Sequence, residues 1–486
     1  MILDFISGYE GRMVEMSRAI WEFAELGLEE FRSSALLVEE LGKNGFSVKR
    51  GVAGMPTAFV ATFGSGKPVI GILAEYDALP GLSNHPVPYR SPIGEGTPGH
   101  GCGHNLFGTA SVASAIALKQ IMEKFHLAGT VKLFGTPAEE TCIGKTYMAR
   151  DFYFEGIDVF LDWHPDEASR ARYTTCNAYT SVKFRFTGIS AHGNRPWNGR
   201  SALEGAELMG VAVNYMRGHL HPGETSEGAA TINYTYTQCG QYPNVIPDFA
   251  EVWYVYRIPT REALEAVHQR ILRCAQGAAL ATETSVTVNV LTGTHELIPN
   301  VRLAHLVHQN LELIGPPPFD QEDERFAKEL QRSYKKEELG LSSSLSPPSG
   351  GSQSVTDSAE ASWFAPYGVV HIACRPRGIA SHSWGANASY GMTIGQKGMV
   401  VAAKTLGLTG VDLLTSPQLL KEAQEEFKER MKGRMYRPTI PMDQKPPLPD
   451  PLRVVTINNR ACHSYETCPR EGGETDAEKS GSKGLE

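Results

Sequence analysis

Three apolar runs in the first third of the chain each end in residues that can bind a metal or move a proton. Val69-Ile-Gly-Ile-Leu-Ala74 runs into Glu75-Tyr-Asp77. Gly129-Thr-Val-Lys-Leu-Phe-Gly135 runs into Glu139-Glu140, and Asp158-Val-Phe-Leu-Asp-Trp163 into His164. An unbroken apolar run of this length is how a strand buried on both faces reads, and such strands belong to parallel sheets covered by helices. Residues 106–124, dominated by Ala, Leu, Ile and Met, supply a helix between the first two runs. The pattern predicts an α/β domain with a mixed, largely parallel sheet. Ligands of such sheets bind beyond the carboxyl ends of the strands, so the residues that end the runs are site candidates. Each has an ordinary alternative: Asp77 capping the Leu-Pro-Gly turn, Glu139-Glu140 complementing a helix dipole, His164 as a hydrogen-bonded structural residue.

The loop before that helix reads Gly99-His-Gly-Cys-Gly-His-Asn105. Cys and His suit borderline-soft divalent metals, and glycines let a loop turn Cys102 and His104 toward one point. The free N–H groups of a helix N-terminus also favour a thiolate. The alternative is a buried thiol beside a hydrogen-bonded His.

From about residue 179 the texture changes to alternating strands in a β-α-β-β-α-β order, as in an inserted α+β, ferredoxin-like domain. The reading is therefore an α/β domain in two parts, 1–178 and 296–450, an inserted domain over 179–295, and a tail over 451–486 too poor in core formers to fold. Cys462, His463 and Cys468 in that tail have no zinc-site spacing and read as incidental. A net charge of −8 without a long Lys/Arg run argues against nucleic acid. No basic n-region opens the chain, and no apolar run approaches the roughly 18 residues that span a membrane. Eight scattered cysteines suit a reducing, cytoplasmic setting.

Seven blocks together resemble the M20 metallopeptidases and amidohydrolases, most of all the N-acyl-amino-acid amidohydrolase branch that includes the B-type component of aminobenzoyl-glutamate hydrolases. They are Gly71–Gly81, Pro98–Leu106, Gly135–Glu140, Asp162–Pro165, Gly188–Gly193, Asn244–Asp248 and Ser381–Trp384. The resemblance implies two divalent metal ions (Zn or Mn, with Co as a further option) held by Cys102, His104, Glu140, His164 and His382, with Cys102 as a bridge. It implies Glu139 as general base, Asp77 orienting a ligand, and His192 reaching the active site of a dimer partner. It makes the inserted domain 179–295 a lid or dimerisation domain, in which Asn244 and Arg257 match substrate-binding positions; a surface ion pair is the alternative for Arg257. Two departures stand out. Asn105 replaces an Asp of many relatives, and Glu75 sits where many carry a metal-binding His, so Glu75 is left out of the ligand set.

The expected activity is metal-dependent hydrolysis of the amide bond of an N-acyl or N-aroyl amino acid. The alternatives are a dipeptidase on unusual or basic dipeptides, a biosynthetic relative that forms or cleaves amides, and an inactive metal-binding scaffold. The expected partners are a small amide or dipeptide substrate and a second copy bound through the lid, with a different polypeptide as the alternative.

Overall fold

A computed structural model describes residues 1–220 and 230–449. The tail from residue 450, with Cys462, His463 and Cys468, lies outside the described residues.

Helix α1 spans Ile2–Phe23. Ile2 and Ile6 continue the buried stripe of Met13, Met16 and Ile20, and Ala24 ends it in a left-handed conformation with its N–H on the Ile20 carbonyl. Then come α2 (Phe31–Lys43), β1 (Ser47–Arg50), β2 (Phe59–Ser65) and β3 (Val69–Ala74). After a long loop follow α3 (His104–Phe125), β4 (Gly129–Gly135), α4 (Gly144–Arg150), β5 (Val159–Asp166), β6 (Arg170–Arg172) and β7 (Thr175–Cys176). The next segment holds β8 (Ala178–Thr187), β9 (Ala191–His192), α5 (Ala202–Arg217), β10 (Thr231–Gln238), β11 (Val245–Ile246), β12 (Phe249–Ile258), α6 (Arg261–Ala281) and β13 (Ser285–Thr294). The chain returns through α7 (Val301–Ile314), α8 (Gln321–Ser333), β14 (Ser352–Gln353), α9 (Ser358–Ala361), β15 (Tyr367–Ala373), α10 (Trp384–Tyr390), α11 (Thr393–Thr415) and α12 (Pro417–Arg430).

The large sheet has the order β1-β2-β4-β3-β5-β15-β6. Its centre, β4-β3-β5-β15, is parallel, and the outer strands pair antiparallel. Helices α1, α3 and α11 share one core with the sheet, and a second core on the other side is built around Phe134, Tyr147, Phe154 and Phe160. α3 is buried nearly throughout because sheet and helices enclose it, which its Ala/Ser-rich sequence permits. α11 corrects the expectation about apolar length. By length and composition it could cross a membrane, but most of its residues are buried inside the protein.

The smaller sheet is antiparallel with order β10-β12-β8-β13. α5 and α6 pack on it around Phe184, Phe186, Val252, Tyr254 and Ile271. Its strands and helices alternate β8-α5-β10-β12-α6-β13, a split β-α-β arrangement.

Candidate active site

The carboxyl ends of β3, β4 and β5 lie side by side because those strands are neighbours in the sheet. Glu75 and Asp77 follow β3, Glu139 and Glu140 follow β4, and His164 lies near the end of β5. α3 begins at the same edge. Two backbone hydrogen bonds, Leu79 N–H to Gly99 O at 3.0 Å and Gly99 N–H to Leu79 O at 2.9 Å, tie the β3 loop to the glycine loop. Gly103 caps α3 at φ 86°, and a Cβ there would meet Pro165 Cγ at 2.9 Å. Only glycine therefore seats this loop against the end of β5. The same loop holds His382, whose N–H donates to Gly101 O at 2.9 Å.

Two triads result, and they share a residue. Cys102, His104 and His164 form one; Cys102, Glu140 and His382 form the other. In each, one donor atom per residue lies within 4.8 Å of the others. The Cys102 thiol is 3.4 Å from His164 Nε2, and His382 Nε2 is 3.3 Å from a Glu140 carboxylate oxygen. Among the described residues, His104 Nε2 and Glu140 Oε1 are buried without a hydrogen-bond partner, as atoms reserved for a ligand would be. The remaining atoms are used for orientation. His104 Nδ1–H donates to Asp77 Oδ1 at 2.8 Å, and the other Asp77 oxygen accepts the Glu140 N–H at 3.0 Å. His164 Nδ1–H donates to the Pro165 carbonyl at 2.8 Å, which leaves Nε2 free to ligate. Thiolate, imidazole and carboxylate donors around a shared sulfur fit two divalent ions of borderline softness.

The electrostatics point the same way. Burial, reinforced by Glu140, pushes the Cys102 thiol up to about 12, so the helix N-terminus does not by itself give a thiolate. Burial and the neighbouring acids raise Glu140 to about 7 and Glu139 well above the carboxylate range. Burial opposes charge on His104 as well, yet Cys102 and Asp77 hold its pKa well above the ordinary value. Buried acids and a thiol crowded together favour bound positive charge.

Glu75 lies closer to this centre than its sequence position suggested. One of its oxygens is 3.3 Å from His104 Nε2, and it groups with His104 and Glu139. The other oxygen accepts from Lys145 Nζ at 2.8 Å, and Lys145 also reaches Asp357 at 2.6 Å. Ser358 donates to Asp162 at 3.1 Å and Tyr367 to the same oxygen at 2.5 Å. The sequence reading missed this polar layer. Lys145 on α4 and Asp357 before α9 carry no motif and are joined only by folding.

A cavity of about 730 Å³ opens over the triads. Glu139, Arg257 and His382 line it, and so does the segment Gln353–Thr356. His192 and Asn244 do not line the cavity of their own chain. They sit together on the exposed β9–β11 ribbon, where Val245 pairs with His192 and the Gly193 N–H donates to Asn244 O at 2.7 Å.

Comparison with known proteins agrees with this architecture. Residues 71–407 match Peptidase family M20/M25/M40. The B-type component of the p-aminobenzoyl-glutamate hydrolase of Escherichia coli (strain K12) is 34% identical, over 91% of this chain and 97% of that protein. The Xaa-Arg dipeptidase of Mus musculus is 28% identical, over 86% and 89%. The crystal structure of the aminobenzoyl-glutamate utilization protein from Klebsiella pneumoniae shares the fold, with a TM-score of 0.58 at 17% identity, covering 84% of this chain and 97% of that one. With that match over most of its length, this chain is a member of peptidase family M20/M25/M40.

Proposed function

We propose that this chain hydrolyses the amide bond of an N-acyl or N-aroyl amino acid, using two divalent metal ions held by Cys102, His104, Glu140, His164 and His382. The observation that carries the proposal is the pair of triads sharing Cys102, with Glu139 beside them. The similarity to a component of an aminobenzoyl-glutamate hydrolase supports an acyl-amino-acid substrate. Bound ions would supply Lewis acidity toward the amide carbonyl and lower the pKa of a water; Zn and Mn both suit the donor set, with Co as a further option. Glu139 accepts the proton of the attacking water and returns it to the leaving nitrogen. Asp77 holds His104 and the Glu140 backbone in place through its two carboxylate oxygens. Arg257 faces the cavity as a carboxylate partner, and its planar fork suits one.

His192 and Asn244 act in trans in this reading, on the cavity of a second copy. Their exposure is consistent with that, as are the exposed Trp197, Tyr242 and Val245 near them. Dipeptides are the second class to assay, because an Xaa-Arg dipeptidase is a similar relative.

Glu139→Gln tests the assignment. Turnover of N-aroyl amino acids should fall by roughly 10²–10⁴-fold, with metal content by elemental analysis unchanged. Normal turnover in that variant would refute the role of Glu139. Mixing Glu139→Gln with His192→Ala should restore part of the activity through hybrid dimers; no recovery in a mixed dimer would refute action in trans.

A further inference from the structure

The cavity over the acids is also lined by arginines, and two of them, Arg172 and Arg257, form no ion pair among the described residues. β15 lies between β5 and β6, and its register aligns residues from all three strands. Asp162 pairs with Val369 and Val369 with Arg172; His164 pairs with His371 and His371 with Arg170. Paired residues on neighbouring strands point to the same face. Arg172 therefore shares a face with His164 and Asp162, two strand spacings away, or roughly 10 Å.

Arg172 lines the cavity. Among the described residues its Nε is buried without a hydrogen-bond partner and its guanidinium forms no ion pair. The nearby acid is already engaged: Asp166 accepts from Arg375 and from His371, both at 3.0 Å. Arg257, on β12 of the smaller sheet, lines the same cavity. It lies over the Tyr179 ring at 5.4 Å and has no carboxylate partner among the described residues. A half-buried guanidinium without an ion-pair partner of its own is costly to keep. Here two of them, on separate sheets, face one cavity beyond the metal-ligand cluster.

We propose that Arg172 is a specificity-determining residue that binds the side-chain carboxylate of the leaving amino acid, while Arg257 binds its α-carboxylate, so that the site selects N-acylated dicarboxylic amino acids of the glutamate or aspartate class. The inference rests on the amide-hydrolase reading above, in which similarity to an aminobenzoyl-glutamate hydrolase component already suggests a glutamate-type substrate, and adds the residue that reads its second carboxylate. An amide held at the triads presents its α-carboxylate next to the scissile nitrogen, and a dicarboxylic side chain carries its second charge a few bonds further. One guanidinium satisfies one carboxylate bidentately, so two on separate elements suit two carboxylates. The same pair repels a substrate that ends in Arg or Lys.

The test compares N-(4-aminobenzoyl)-glutamate, its glutamine analogue and N-(4-aminobenzoyl)-arginine on the metal-loaded wild type, Arg172→Gln and Arg172→Lys. Wild type should favour glutamate over glutamine by roughly 10- to 100-fold in kcat/KM, the range of a charge-assisted hydrogen-bonded pair. Arg172→Gln should collapse that ratio to within about threefold, mostly through KM, and Arg172→Lys should restore part of it. Equal losses on glutamate and glutamine would overturn the proposal, because both arginines would then serve one carboxylate or Arg172 would only support the sheet. A wild-type preference for the arginine compound would also overturn it. If no amide is cleaved, the hydrolase reading fails. Calorimetric binding of the same compounds then decides the Arg172 assignment: a glutamate preference lost in Arg172→Gln sustains it, and equal binding of glutamate and glutamine rejects it.

Discussion

Lys145 is the most consequential side chain that carries no motif. It is fully buried, with its ammonium 2.8 Å from Glu75 and 2.6 Å from Asp357. Its backbone N–H also donates to Asp357 at 2.9 Å. Lys145→Met keeps most of the volume and removes the charge, leaving two buried carboxylates with no cation between them. At an effective dielectric near 20, each contact at this distance is worth on the order of 5 kcal/mol of attraction. Part of that returns when a carboxyl takes up a proton, so the net loss should be about 3–5 kcal/mol at pH 8. The loss should depend on pH. Burial already raises Asp357 to about 6 against the pull of Lys145, and without the lysine its folded pKa rises further. A carboxyl whose folded pKa lies above its unfolded value brings no penalty below the unfolded pKa and a growing one as pH rises through the folded pKa. The deficit of Lys145→Met against wild type should therefore be largest at pH 8 and shrink toward pH 5. Urea unfolding followed by circular dichroism at several pH values measures it. The double variant Lys145→Met/Asp357→Asn should recover part of the loss, because the orphaned charge goes too. A deficit below about 1 kcal/mol, or one flat from pH 5 to 8, would refute the idea that Lys145 neutralises this layer.

Three further outcomes follow from the geometry. Gly103→Ala places a side chain at φ 86° against Pro165 and should lower stability by about 1–3 kcal/mol and reduce metal retention on dialysis; an unchanged melt would contradict the packing argument. Asp77→Asn should weaken metal affinity by roughly 10- to 100-fold in a chelator competition, because it orients His104; unaltered affinity would remove that role. Burial pushes Glu251 up, but hydrogen bonds from Lys183, Thr237 and Arg185 outweigh it and hold it at about 2. Its contribution is then present above the unfolded pKa and lost as pH falls toward 2, so Glu251→Gln should flatten the acid limb of the stability curve; an identical acid limb would rule this out.

Much of this architecture was legible because its signals are local. The buried strands β3, β4 and β5 are apolar runs, and the candidate ligands Glu140 and His164 sit at the strand ends. Gly103 marks the start of α3, and alternation marks β8, β10 and β12. What stayed hidden depends on long-range pairing. β6 is three residues long and shows no run of its own, and it exists as a strand because β15 pairs with it. Glu75 reads as an acid at a strand tip until Lys145 and Asp357, nearly three hundred residues away in the second case, meet it in the interior. The thiol of Cys102 shows the same limit: helix position argues for a thiolate, and burial reverses that argument.

The place of β15 also bears on the order in which the molecule can assemble. β5 and β6 are separated by only three residues in the chain, yet in the sheet β15 stands between them. Roughly 190 residues are made after β6 before β15 appears, which at typical synthesis rates of about 5–20 residues per second is some ten to forty seconds. Throughout that interval β5 has an open edge and β6 lies close enough to fold back on it as a hairpin. Such a pairing would fill the slot that β15 needs and hold His164 apart from the loop bearing His382. The newborn chain must keep that slot open or reopen it, so the last strand of the large sheet acts as a wedge that commits the fold.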